Sequence, residues 1–255
     1  MHLFERLGFG FECGSFGVEL CALLLELVHF LFGADQLEKI TGTRPPVVYH
    51  GVDTDAFRPV EKRRLRMGDK SLRDKAACKR FFGGGANGRW LFRADRNMPR
   101  KRYASMLRAL APVMAERPDV FLVIHCRAHD QGGNLRDLIS KYPARIAKRM
   151  ILTGLPEEWG SVPRDMLIAL YNSADVYVST SAEGFGLTIA EAMACGVPAV
   201  GMAYSAVPEV IGPGGLLAPG GLLIDNEYDH AWAAVDEKAF GIQVARLLDN
   251  PGLRA

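Results

Sequence analysis

The feature that most constrains this chain begins at Arg89. From there short apolar runs alternate with longer segments whose apolar residues recur at helical spacing. RWLFRA, VFLVIHC, MILTG, DVYVST and PAVGM, and later LLI, read as strands. The stretches YASMLRALAPVMAERP, LRDLISKY, RDMLIALYNSA and LTIAEAMACG read as helices between them, and AFGIQVARLLDN closes as another. Parallel strands cannot be joined by tight hairpins and need crossovers, usually helical. The alternation therefore predicts βαβ units and a parallel sheet flanked by helices. This is an α/β, Rossmann-like architecture, which binds ligands beyond the carboxyl ends of its strands.

The chain divides in two on this reading. Residues 1–46 form a hydrophobic, helical N-terminal segment ending at Pro45-Pro46, and residues 47–255 form the α/β domain. Val47-Val48-Tyr49 reads as a short strand and GVDTDAF as a turn. A basic helical connector then runs to the boundary FFGGGANG. The apolar run Phe16 to Gly33 has the length of a marginal membrane helix. Glu19 and Glu26 interrupt it, and no basic segment of the signal-peptide kind precedes it. On a helix Glu19, Glu26 and His29 make one narrow polar stripe, so such a helix needs a partner. The rest of the chain, a second copy and a membrane surface are the three candidates.

Charge excludes little. The 31 basic and 29 acidic residues leave a net +2, which gives no argument for a nucleic-acid partner. Locally EKRRLR, DKSLRDKAACKRFF and RADRNMPRKRY are basic, a surface for phosphate, anionic lipid or water. The five cysteines are scattered and lack a CxxC pair, which favours free thiols in a reducing cytoplasm over disulfides or a zinc site.

The stretch SAEGFGLTIAEAM, residues 181–193, connects the strand DVYVST to the next helix. Its glycines let backbone amides approach a ligand, and the start of the helix offers unpaired N–H groups and a positive dipole end to an anion. Glu183 in the loop is placed to accept hydrogen bonds from hydroxyl groups, and Glu191 one turn into the helix to take a pair of them. Thr188-Ile189-Ala190-Glu191 also has the form of a capping box, in which Glu191 only satisfies the helix start.

Glu183 and Glu191 around GFG, followed by AMACGVPAVG and SAVPEVIG, resemble the donor signature of retaining GT-B glycosyltransferases of the family 4 type. VVYHGVDTDAFRP, RNMPRKR and LYNSADVYVSTSAEGFGLTIAEAMACGVP extend the resemblance, in order, over most of the chain. It implies one half of a GT-B fold, a nucleotide-sugar donor, an acceptor hydroxyl of unknown identity, and transfer with retention and without metal or cofactor. By resemblance Arg96 and Lys101 hold the donor diphosphate and stabilise the leaving nucleotide, and Glu183 contacts the donor sugar. Gly184, Phe185 and Gly186 offer amides to sugar and phosphate, Leu187 and Thr188 face the distal phosphate, and Glu191 binds the ribose. His125 reads as a rim residue or a donor contact, Glu209 as a helix-start or loop contact, and Cys195 as a packed side chain. Where the family has glycine before the basic-loop arginine, this chain has Asp95. The 46 residues ahead of VVYHGVD are too few for the family's acceptor domain. That leaves three readings: a shortened enzyme, a donor module working with an acceptor-binding partner or a second copy docked through residues 16–33, or a noncatalytic nucleotide-sugar binder. A cytoplasmic protein, peripheral at a membrane, fits all three.

Overall fold

A computed structural model of the chain describes residues 31–85, 87–153, 162–225 and 230–254. The apolar run from Phe16 lies outside the described residues up to position 30. Its last three residues open helix α1 (Leu31–Thr41). A hairpin of β1 (Leu65–Met67) and β2 (Lys70–Leu72) precedes α2 (Lys75–Phe81). Strand β3 (Arg89–Ala94) leads through a 3-10 turn at Pro99–Lys101 into α3 (Tyr103–Glu116). Next come β4 (Val120–His125), α4 (Leu135–Ser140), α5 (Ala144–Ala147), β5 (Met150–Leu152) and α6 (Arg164–Ser173). These are followed by β6 (Val176–Val178), α7 (Leu187–Ala194), β7 (Ala199–Met202), α8 (Val207–Ile211) and β8 (Gly215–Ala218). Another hairpin, β9 (Gly220–Asp225) with β10 (His230–Val235), precedes α9 (Glu237–Asp249) and α10 (Pro251–Arg254).

Six strands form one sheet in the order β8-β7-β6-β3-β4-β5, every neighbouring pair parallel. Strand β3 is where the order reverses, with β4 and β5 on one side and β6, β7 and β8 on the other. A crevice opens outside the carboxyl ends of the strands at such a switch point. The loops leaving β3 and β6 therefore border the site.

The pleat sends alternate side chains of β3 to opposite layers. Leu91 packs with Met106 and Leu110 of α3 and Val244 and Leu248 of α9. Trp90 and Phe92 face Tyr171 of α6 and Ile189 and Ala192 of α7. Each large apolar side chain so buried stabilises the fold by about 1.5 to 3 kcal/mol. The rings of Phe92 and Tyr171 meet edge-on at 5.3 Å, which fixes Tyr171 beneath α7.

Three sequence expectations need correction. The basic connector is a hairpin followed by a helix: Leu65 and Leu72, seven apart, are buried and directly opposite across β1 and β2. A spacing of seven suits two helical turns as well as this hairpin. Gly68, at φ +64, supplies the turn. Val47-Val48-Tyr49 makes only an isolated bridge at Val47, with Val48 and Tyr49 exposed. The LLI run lies in β9, which pairs antiparallel with β10, and the sixth parallel strand is Gly215–Ala218.

The basic stretch is not one surface. Lys79 is buried 2.7 Å from Asp175, Arg89 forks onto Asp119, and Arg93 and Lys101 are inside the site. Arg64 just ahead of the hairpin and Arg66 within it stay exposed. The thiols of Cys78, Cys126 and Cys195 are free and buried, and burial pushes Cys195 up to about 12, in keeping with a packed residue. Among the described residues no helix is long and apolar enough to cross a membrane.

Candidate functional site

The loop after β3 carries Asp95, Arg96 and Lys101, and the loop after β6 carries Ser181 and Glu183. Arg93, the one charged residue inside the apolar core of β3, ties them together. Its guanidinium is 0% exposed and lies 4.6 Å from the centre of the Tyr103 ring. It donates to Thr180 Oγ1 at 2.8 Å, Ser181 Oγ at 3.1 Å and the Lys101 carbonyl at 2.7 Å, and it pairs with Asp95 Oδ2 at 3.3 Å. Arg102 follows in the left-handed region at φ 53, which costs roughly 1 to 2 kcal/mol for a side chain other than glycine. Bonds from Arg93 to the Lys101 carbonyl and from Thr180 to the Arg102 carbonyl hold that turn. It aims Lys101 inward.

Lys101 Nζ lies 2.6 Å from Asp95 Oδ1 and 2.6 and 2.8 Å from the two oxygens of Glu183. Its side chain is 7% exposed. Glu183 also accepts from the Ser181 hydroxyl, and Arg100 comes within 3.5 Å. Burial alone pushes the Glu183 carboxyl upward. The charge and hydrogen bonds of Lys101, aided by Ser181 and Arg93, more than offset this and hold it below the usual glutamate value. Cations and anions thus alternate through the row Arg93, Asp95, Lys101, Glu183.

Two adjoining clefts open on this row. One, of about 340 Å3, is lined by His50, Asp95, Lys101 and every residue from Glu183 to Thr188. The other, of about 670 Å3, is lined among others by Asp95, Arg96, His125, Asp130, Thr188 and Glu191. They share Asp95 and Thr188, and sizes of this order suit small-molecule ligands. Arg96 and Lys101, expected to act as a pair, line different clefts on either side of Asp95.

Gly186 is the N-cap of helix α7; its φ of +96 excludes most other residues, and its lack of a side chain leaves the helix start uncapped. The first intrahelical bonds run from Ile189 and Ala190 to the Gly186 carbonyl. Ahead of them the amides of Leu187 and Thr188 have no acceptor among the described residues. The capping box does not form: Thr188 is already helical, and Glu191 Oε2 accepts from the Tyr171 hydroxyl at 2.6 Å. Burial raises the Glu191 carboxyl, and Tyr171 and Arg164 pull it back only in part. The Phe185 ring sits 5.4 Å from His50 and 6.3 Å from Tyr49, so residues 49 and 50 lie over the GFG loop.

Arg96 is 60% exposed and forks onto Asp130 at 2.9 and 3.3 Å. That pairing and the Gln131 amide hold Asp130 at about 2. His125 ends β4 with Nδ1 2.8 Å from Thr153 Oγ1, and burial lowers its pKa, so it presents a neutral ring to the cleft. Glu209 of α8 accepts from the Leu31 and Phe32 amides at 2.8 and 2.9 Å and from the Tyr49 hydroxyl at 3.0 Å. Arg93, Ser181, Tyr171 and His50 are the site residues that sequence reasoning missed. An arginine inside RWLFRA, an apolar strand, was the available signal, because a charge there must be buried with partners.

A parallel sheet with an uncapped helix start and paired acidic and basic groups at its switch point is the arrangement of nucleotide-type α/β domains. The sequence narrows it. Residues 90–250 match the family description "Glycosyl transferases group 1", and the chain belongs to that family. It is 30% identical over 213 residues to D-inositol 3-phosphate glycosyltransferase of Thermobispora bispora, covering 82% of this chain and 43% of that one. With D-inositol 3-phosphate glycosyltransferase 2 of Catenulispora acidiphila it shares 30% identity, covering 89% and 46%. The chain thus spans less than half the length of these relatives. Among solved structures, the fold is shared with HepE of Anabaena in complex with UDP and glucose, at TM-score 0.62 and 18% identity, covering 89% of this chain and 54% of that one. It is also shared with the C-terminal domain of LpcC, a group 1 family protein of Francisella tularensis, at TM-score 0.60 and 20% identity, covering 80% and 91%. These likenesses bear out a GT-B glycosyltransferase half.

Proposed function

We propose that the chain binds a nucleotide-sugar and transfers the sugar to an acceptor hydroxyl with retention of configuration and without a metal ion. The observation that carries this reading is the convergence, on one pair of adjoining clefts, of Lys101 and Glu183, the free amides starting α7, and Glu191. The smaller cleft takes the sugar, against Glu183 and the amides of Gly184, Phe185 and Gly186. The diphosphate crosses Asp95 and Thr188, facing Lys101, Arg96 and the amides of Leu187 and Thr188. Glu191 in the larger cleft takes the ribose hydroxyls. Negative charge grows on the leaving nucleotide as the glycosidic bond breaks, and fixed cations stabilise it most at that moment. The departing phosphate accepts the acceptor's proton on the face it leaves, so no carboxylate nucleophile is needed. In the free protein Lys101 and Arg96 are held by carboxylates, and donor binding re-pairs both.

A second reading takes residues 47–255 as a donor module that works with an acceptor-binding partner. Residues 31–46 then dock on that module through Glu209. Titration calorimetry with UDP-glucose, UDP-N-acetylglucosamine, GDP-mannose and ADP-glucose tests both readings, with Glu191→Ala and Arg96→Ala as controls. Saturable binding of one donor, weakened by both substitutions, is expected. A folded protein that binds none of the four sinks the proposal, and transfer that appears only with an added partner chain selects the second reading.

A further inference from the structure

The acidic residue at the centre of the clefts has no place in that scheme. Asp95 is shared by both clefts, and its carboxylate is 7% exposed, 2.6 Å from Lys101 and 3.3 Å from Arg93. Lys101 has three protons to donate, and its contacts with Asp95 and Glu183 take them up. The two buried cations are matched by two carboxylates, so a diphosphate arriving here meets a neutral floor. Without the Asp95 carboxylate the same floor would carry a net positive charge. The backbone holds Asp95 in place independently of its charge: Tyr103 donates its hydroxyl to the Asp95 carbonyl at 2.8 Å, and the Asp95 amide continues the β3–β4 ladder onto the His125 carbonyl.

Resting on the donor-site reading above, we propose that Asp95 is a positioning residue that competes with the donor diphosphate for Lys101. It keeps the ammonium aligned on Glu183 while the clefts are empty and gives it up, in part or whole, when phosphate arrives. The energetic consequence has a fixed sign. A buried anion a few ångströms from the phosphates opposes them, and the opposition scales with phosphate charge, whereas contacts to sugar, ribose and base do not depend on it. Asp95 thus weakens the hold on every nucleoside diphosphate while leaving nucleoside binding untouched. In an enzyme whose product is the free nucleoside diphosphate, such a counter-charge speeds product release.

The test compares the wild-type protein with Asp95→Asn, close to isosteric, and Asp95→Ser, which removes the carboxylate with less bulk, while Asp95→Glu keeps the charge. Calorimetry with UDP, GDP and ADP, and with uridine, guanosine and adenosine, gives the ratio of diphosphate to nucleoside affinity for each protein. Removing the charge is expected to tighten the preferred diphosphate by about tenfold or more, with nucleoside affinity unchanged and Asp95→Glu near wild type. A general loosening of the site would move diphosphate and nucleoside together and leave the ratio fixed, and that result overturns the inference. So does a diphosphate affinity unchanged or weakened in Asp95→Asn or, should that variant not fold, in Asp95→Ser. If the folded wild-type protein and the charge-free variants bind no diphosphate, the donor-site reading fails first and this inference falls with it. Binding by wild type without the shift sinks this inference alone.

Discussion

Lys101 and Glu183, 82 positions apart in the chain, meet through two contacts of 2.6 and 2.8 Å in a site that leaves less than a tenth of either side chain exposed. The pair joins the loops leaving β3 and β6, so it closes the switch point of the sheet as well as facing the smaller cleft.

Lys101→Ala leaves Glu183 buried beside Asp95 without its main counter-charge. Breaking one partner out of a buried pair costs on the order of 3 kcal/mol, and urea denaturation at pH 7 should show a loss of that size. The sign of the pH dependence follows from the depressed Glu183 carboxyl. In the wild type its stabilisation is complete above the ordinary glutamate value of 4.5 and is lost as pH falls through the lower folded-state value. In the variant that carboxyl gains a proton more readily, so the two stability curves converge on the acid side. Curves that stay parallel would refute the assignment.

Glu191 behaves oppositely. Burial raises its carboxyl above 4.5, so as pH falls it is among the first of the site carboxylates to be protonated and to lose the acceptor that the proposed function assigns to the ribose. Nucleotide affinity of the wild type should weaken through that range, and Glu191→Gln should bind roughly tenfold more weakly with that limb removed. Retention of the same limb in Glu191→Gln would place the titrating group elsewhere.

Asp130 owes its value of about 2 first to Arg96. In Arg96→Ala its carboxyl should move back toward 3.8, the ordinary aspartate value. Carbon-detected NMR titration of the side chain reads this directly. An unmoved Asp130 would mean that the forked pair seen at 2.9 and 3.3 Å does not persist in solution.

Glu209→Ala should free the start of α1. Hydrogen exchange at the Leu31 and Phe32 amides is expected to speed by about tenfold, the worth of roughly 1.4 kcal/mol in charge-assisted bonds. Exchange in the parallel sheet should hardly change. Equal acceleration across β3 and β6 would show that α1 and the sheet open as one unit.

Strands β3 to β7 were legible because each is a short apolar run set between helices of crossover length, and that alternation admits few other folds. Gly215–Ala218 escaped notice because glycine and proline flank it and its four residues carry no period. The two glutamates stood out from the strand, glycine loop and helix around GFG, and Lys101 was read from a resemblance whose motifs keep their order along the chain. Their partners could not be read that way. Tyr171 and Glu191 lie on different helices, and only the packing of α6 under α7 brings hydroxyl to carboxylate. The capping box shows the limit of local pattern: the spacing of Thr188 and Glu191 fits one, but Gly186 is the N-cap, two residues earlier, and Tyr171 claims the carboxylate. Asp95 stood out as a departure, yet its pairing with Arg93 and Lys101 depends on the left-handed turn at Arg102.

Glu209 meets amides 178 and 177 positions earlier in the chain, and on α1 Phe32 rests against the ring of Tyr204 at 5.2 Å. A ribosome adding about 5 to 20 residues per second needs roughly 10 to 35 seconds to travel from the first of these groups to the last. Throughout that interval the earliest-made described helix has neither its acceptor nor its aromatic neighbour. Of the described helices the one made first is therefore among the last to be housed, and during synthesis its Leu31 and Phe32 stay open to any chaperone waiting at the exit.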